Sequence, residues 1–265
     1  MIPGPSQDKD FPWWLVAAGG IGAYLFYRVW SDGIYAQVLA TLSRGIGITV
    51  FVTLVAFSLA SALGLLLALG MQSRWLLLRQ LARFYVEIMR GIPIIVLLLY
   101  VAFVLAPALV ALWNWATAPL GLAEWRTRDF PLLWRAVIAL ALAYASFLAE
   151  IFRAGIQAVD EGQIEAAEAL GLSRWQRFRH IVAPQAFRTI LPPYGNDFVA
   201  MVKDSSLVSV LGVTDIAQLG KVTAAGNFRY FETYNVVALI YLTMTITLSL
   251  ALRRVERHLR ARQGR

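Results

Sequence analysis

Two carboxylates, an ammonium group and a carboxamide stand close together in an otherwise apolar stretch. They are Asn196 and Asp197, then Lys203 and Asp204, with Ser205 and Ser206 following. Such a set suits the recognition of charge. Asn196 offers a hydrogen bond and Asp197 a negative charge to an α-amino group or a cationic side chain. Lys203 either shares in that work or neutralises Asp204 locally. Two more charged pairs, Glu87 with Arg90 and Glu150 with Arg153, are three residues apart, so each can occupy one helix face. They read either as ion pairs that fix helix geometry, with Arg snorkelling to an interface, or as members of a polar path. Gly91 and Pro93 mark a kink or break just after Arg90.

Covalent chemistry finds no support. The chain has no cysteine, and its two histidines, His180 and His258, are far apart. Gly220-Lys221 lacks the earlier glycine and the following hydroxyl of a phosphate-binding loop. The pattern begun by Gly45 and Gly47 meets Val50 where a glycine is needed, and neither HExxH nor GxSxG occurs. The expectation is a chain without catalytic, cofactor or metal residues, driven by energy supplied elsewhere.

Of the 265 residues, 59% are hydrophobic and 15% charged. A soluble domain is nearer half apolar and a quarter charged, so the bilayer is the expected solvent. Charge-free windows at 45–73, 91–123 and 233–252 are each long enough to cross it. Shorter windows at 136–149 and 11–27 are extended by Pro131–Trp134 and led by Trp13 and Trp14. Six spans are expected, at 12–30, 45–71, 91–113, 132–151, 189–211 and 233–252. Hydropathy alone rates 189–211 doubtful because Asp197, Lys203 and Asp204 interrupt it. Lipid cannot solvate such a helix, so it must face a partner span or an aqueous path. The first span reads as a retained helix, without the cleavage site of a secretory signal.

Sixteen of the 24 basic residues fall at the N-terminus, 71–91, 151–190 and 253–265. That bias places both termini in the cytoplasm. It also explains the net charge of +8 without nucleic acid. The tail, with Arg253, Arg254, Arg257, Arg260, Arg262 and Arg265, reads as an anchor to lipid headgroups. The Thr and Ser set at 243, 245, 247 and 249 reads as backbone bonding or helix packing, not as a path.

The segment 153–188 forms an elbow. Residues 163–170 are strong helix formers, and Gly171 suits a left-handed cap. Ser173 and Gln176 have capping-box spacing. Beyond them Trp175, Phe178 and Val182 share one face, Arg174, Arg177 and Arg179 take the other, and Pro184 is expected near the end of the second helix. Ala166, Ala167 and Ala169 keep the first helix thin enough for a partner's close approach, with Glu165 and Glu168 supplying charge. An ordinary amphipathic interfacial helix fits the same composition.

The spacing Glu165-Ala166-Ala167, Gly171, Ile181, Pro184 resembles the EAA motif of ABC importer permeases, with Ala183 where leucine is usual. Segments 85–93, 149–157, 191–198 and 203–209 resemble the polar amino acid branch, and the likeness covers roughly 80–255. The resemblance implies an all-α polytopic inner-membrane protein, with five core transmembrane helices and one additional N-terminal helix. It divides the chain into an N-terminal segment at 1–44, a permease domain at 45–255 and a basic tail at 256–265. It implies two cytoplasmic ATPase subunits that hold ATP and Mg, and a second permease, identical or related. A binding protein would deliver the amino acid outside. Glu165, Ala166, Ala167, Glu168, Gly171, Ile181 and Pro184 would form the ATPase contact. The substrate path would run past Glu87, Arg90, Asn196, Asp197, Lys203, Asp204, Ser205 and Ser206. Asp197 leans the specificity toward basic or broadly polar amino acids. The same machine for opines or amino acid derivatives is an alternative; a passive channel or a membrane scaffold is an alternative of another class.

Overall fold

The computed structural model describes residues 13–261. Lys9, Arg262 and Arg265, which enter the orientation argument, lie outside them. The described residues form helices and no strand. The first helices are α1 (Trp13–Ser31), α2 (Gly33–Ser43), α3 (Ile46–Met71) and α4 (Leu76–Gly91). After α5 (Ile94–Tyr100) a π turn, Val101–Leu105, leads into α6 (Ala106–Thr117), and α7 is Leu132–Gln157. Then α8 (Glu161–Ala169) and α9 (Arg174–Arg177) precede a second π turn, Phe178–Val182, and α10 (Ala183–Asp204). A 3-10 turn, Ser205–Leu211, separates α10 from α11 (Ile216–Asn227), and α12 is Tyr230–Ala261.

Among the described residues, four stretches can cross a bilayer by length and composition: Gly33–Met71, Ile94–Leu120, Leu132–Gln157 and Tyr230–Arg257. The Trp- and Tyr-bearing α1 and the polar α10 are not among them. The expected span at 189–211 is divided: α10 stops at Asp204 and 3-10 geometry carries the chain to Leu211. The segment 71–91 lay outside the expected spans, with Glu87 and Arg90 on one helix face; most of it forms α4.

Between helices in lipid, close packing supplies what the hydrophobic effect cannot. The core is accordingly built from small residues. On α7, Ala136, Ala139, Ala143, Ala145 and Ala149 are buried, and on α3 Ala56 and Ala60. Gly64 of α3 lies so near α7 that a Cβ there would stand 3.0 Å from both the Ala145 carbonyl oxygen and the Leu148 Cβ. A second cluster joins Tyr35, Val38 and Leu42 of α2 to Ile216, Val236 and Ile240.

At the other end of α7 from Gln157, Arg135 is 6% exposed. Its guanidinium donates to the carbonyls of Phe130 (2.9 Å), Ala102 (2.9 Å) and Thr127. The Ala102 carbonyl belongs to the first π turn, so this one cation ties α7 to that turn and to the 127–130 loop. Arg135→Met keeps the apolar stem but strands three carbonyls. It is expected to cost at least about 2 kcal/mol, at roughly 1–3 kcal/mol per unsatisfied group, read as a lower unfolding temperature in detergent.

Candidate functional site: an elbow joined to a polar helix

The elbow is built from local signals. Asp160 starts α8 by accepting from the Gln163 amide at 3.3 Å. The helix closes with a Schellman arrangement: the Leu172 amide donates to the Ala167 carbonyl (3.1 Å) and the Gly171 amide to that of Glu168 (2.9 Å). Gly171 sits at φ +76°, the left-handed conformation that favours glycine. Ser173 and Gln176 then form the expected capping box, with bonds of 2.9 and 3.4 Å. Two side-chain ties hold the arms together: Arg177 to Glu168 at 2.6 Å and Gln185 to Gln163 at 2.6 Å.

These ties redistribute the expected roles. Glu165 and Ala166 are exposed, as partner contact requires, and so is Ala169. Ala167 is buried, 3% exposed, inside the elbow itself. The carboxylate of Glu168 is engaged by Arg177, whose side chain is only 15% exposed, so Arg177 does not join Arg174 and Arg179 in the solvent. Trp175 and Phe178 stack at 5.9 Å on the outside.

The second arm does not end near Pro184, as expected. Helical structure runs from Arg174 through the π turn and Pro184 to Asp204. Proline lacks an N–H and crowds the carbonyl four residues back, here that of His180. His180 lies inside the wider π turn, which removes the regular ladder at the point where proline cannot join it. Ile181 is half-buried and Pro184 exposed on this continuous rod. The elbow and the polar residues of α10 thus lie on one continuous helical element.

On that rod, Tyr144 of α7 donates to Asp204 at 2.7 Å. The local neutralisation of Asp204 by Lys203 does not occur: adjacent residues of a helix point apart, and Lys203 is exposed with no ion pair among the described residues. Ser205 is buried and donates to the Val202 carbonyl at 2.7 Å, which directs it into the core and away from any open path. Ser206 is half-buried. Asn196 is exposed and Asp197 half-buried; among the described residues neither has a hydrogen bond or an ion pair. Beside them, Tyr194 and Phe198 meet Phe57 of α3 at 4.8 and 4.9 Å, and the Tyr194 hydroxyl meets Ser61 at 2.9 Å.

The two charged pairs part company. Arg153 and Glu150 bond at 2.5 Å, the ion-pair reading. Glu87 and Arg90 are both exposed at the end of α4; no ion pair joins them and no hydrogen bond links them to α10.

Asp215, fully buried, is missing from the sequence reading. It caps α11 through the Gln218 amide (2.8 Å) and accepts from Tyr241 of α12 (3.2 Å). The neighbouring Ile216 amide donates to Thr49 of α3 at 3.4 Å. The Asp-x-x-Gln spacing of residues 215–218 is the signal that would have located this cap. Tyr144 carried a fainter one, as a phenol in an alanine-rich, charge-free run.

Residues 60–265 match the family described as "Binding-protein-dependent transport system inner membrane component". The probable amino-acid permease protein YxeN of Bacillus subtilis is 37% identical over 210 residues, 79% of this chain and 87% of that one. The glutamine transport system permease protein GlnP of Escherichia coli is 32% identical over 219 residues, 83% of this chain and 93% of that one. A crystal structure of an amino acid ABC transporter superposes with a TM-score of 0.71 at 34% identity, covering 84% of this chain and 96% of that chain.

Proposed function

The chain belongs to the family of binding-protein-dependent transport system inner membrane components, and from that premise we propose that it carries polar amino acids inward, driven by ATP that a partner subunit hydrolyses. It is a multi-pass permease subunit of an amino acid ABC transporter. In the proposed assembly two such permeases, identical or related, rest on two cytoplasmic ATPase subunits, and an extracytoplasmic binding protein delivers the substrate. ATP and Mg reside on the ATPases; this chain binds no cofactor and catalyses no reaction. Both termini and the elbow face the cytoplasm, and the basic tail meets lipid headgroups. The permease domain occupies 45–255, which begins at the turn between α2 and α3.

The observation that carries this reading is the rigid elbow at the head of the Arg174–Asp204 rod. Glu165 and Ala166 lie open to the ATPase, while Gly171, Glu168 and Ala167 fix the bend that presents them. ATP binding closes the ATPase pair and pushes the elbow. The rod then moves Asp197, Lys203 and Asp204 relative to α3 and α7, turning the permease from inward to outward facing, and hydrolysis resets it. Asp197 supports basic or broadly polar substrates, since its carboxylate has no hydrogen-bonding or ion-pair partner within the described residues.

Gly171→Val tests the coupling. A β-branched residue is strained at φ +76°, whereas Asn tolerates this conformation. A Cβ at position 171 meets nothing within 4 Å, so the substitution changes the turn without crowding a neighbour. The chain purified gently from its native membrane is expected to bring down a P-loop ATPase, identified by mass spectrometry. Gly171→Val should lose that ATPase and transport, and Gly171→Asn should keep both. Absence of an ATPase from the native sample, where other ABC complexes stay intact, would favour a passive channel or scaffold. A second permease in the sample would decide between homodimer and heterodimer.

A further inference from the structure

Helix α4 divides its surface into three sectors, one more than a helix packed on a soluble protein requires. The first faces the chain: Ala82 and Val86 are buried with Met71 of α3 and Ala149 of α7. Around the next sector, at helical spacing, Leu77, Leu81, Phe84 and Ile88 are exposed, Leu77 by 72% and Phe84 by 65%. The third sector carries Arg79, Arg83, Glu87 and Arg90, all at the same angular position within about a quarter-turn at 3.6 residues per turn. Water does not explain four exposed large apolar side chains on successive turns, and a helix buried in hydrocarbon does not explain three arginines beside them. Among the described residues, the Arg83 side chain has no ion pair or hydrogen bond and that of Arg79 bonds only the Ser73 carbonyl, at 3.2 Å. The row therefore holds uncompensated positive charge next to an uncovered apolar stripe. Ala149, against which α4 packs, is four residues from Arg153 and lies at the end of α7 that leads into the elbow. This sets α4 at the same membrane face as the elbow.

We propose that α4 lies in the bilayer interface and binds anionic phospholipid of the leaflet on the elbow side. Leu77, Leu81, Phe84 and Ile88 enter the acyl chains, and Arg79 and Arg83 meet the headgroup phosphates. A helix with this division of polarity lies in the plane of the interface. Basic side chains at that depth attract anionic lipid. A protein partner over the stripe would cover the leucines but would leave the arginine row without counter-charge unless it were acidic. A bilayer with anionic headgroups satisfies both sectors at once.

The chain has no cysteine, so Phe84→Cys creates a unique labelling site. The full-length variant carries a fluorophore there in phosphatidylcholine vesicles containing a minor fraction of lipid with brominated chains. Brominated phosphatidylglycerol is expected to quench more strongly than the same fraction of brominated phosphatidylcholine. The preference should fall about fivefold for each arginine removed in Arg79→Gln and Arg83→Gln, singly and together. These variants keep the apolar stripe, so quenching by brominated phosphatidylcholine itself should persist and report that α4 is still folded in the interface. No quenching by either lipid would overturn the proposal, and cross-linking from the same cysteine would then reveal a protein over the stripe. Equal quenching by both lipids, or a preference unchanged in the double variant, would also overturn it.

Discussion

Asp197→Asn is expected to raise the uptake KM for arginine and lysine by roughly 10- to 100-fold, the loss of a hydrogen bond to a charged group at about 1.5–3 kcal/mol, and to change that for glutamine far less. The substitution preserves size, removes the charge and turns one acceptor oxygen into a donor NH2 that cannot accept from a cationic group. Asp197 is half-buried on α10 without a hydrogen bond or ion pair among the described residues, so no internal contact is broken. Asp204 is the informative contrast. Its carboxylate already accepts from Tyr144 at 2.7 Å, so Asp204→Asn disturbs the α7–α10 contact for every substrate alike. Uptake by cells carrying the whole importer, measured with the three amino acids, separates the two outcomes. A uniform loss for Asp197→Asn would make that residue structural.

Gly64→Leu is expected to abolish recovery of folded protein. The atoms facing the missing Cβ are largely backbone, the Ala145 carbonyl oxygen at 3.0 Å and the Ala149 amide nitrogen at 3.2 Å, with the Leu148 Cβ at 3.0 Å. None of these is the far end of a flexible side chain, so α3 and α7 must separate along their shared seam. Overpacking costs typically about 1–3 kcal/mol when neighbours can yield, and here they cannot, which puts the cost at or above that range. Size-exclusion chromatography of a fluorescent fusion should show aggregate in place of a single peak. Gly47→Leu, on the same helix with nothing within 4 Å of its added Cβ, is expected to retain the peak. Equal behaviour of both variants would mean that the α3–α7 seam is not the core.

The amino-acid sequence by itself determined the all-α membrane class, because charge-free runs long enough for a bilayer leave few alternatives. It also determined the elbow, since caps are local: Gly171, Ser173 and Gln176 act within a few bonds of where they stand. Whatever depends on partners distant in the chain was decided by tertiary structure. The spacing of Glu165 and Glu168 made them look equivalent, but only packing turned Glu168 toward Arg177. Pro184 read as a stop until the π turn before it absorbed the missing donor and let the rod continue. Lys203 and Asp204 looked like a self-neutralising pair, whereas the helix points them apart and delivers Asp204 to Tyr144, sixty positions away. Arg135 and Asp215 drew no role from the sequence, yet each is buried, Arg135 holding carbonyls of the first π turn and the 127–130 loop and Asp215 capping α11 while accepting from Tyr241 of α12. Helix α4 stayed hidden for the same reason. Its three sectors resolve only when the face that packs on α3 and α7 is known, because sequence separates apolar from polar but not protein-facing from lipid-facing.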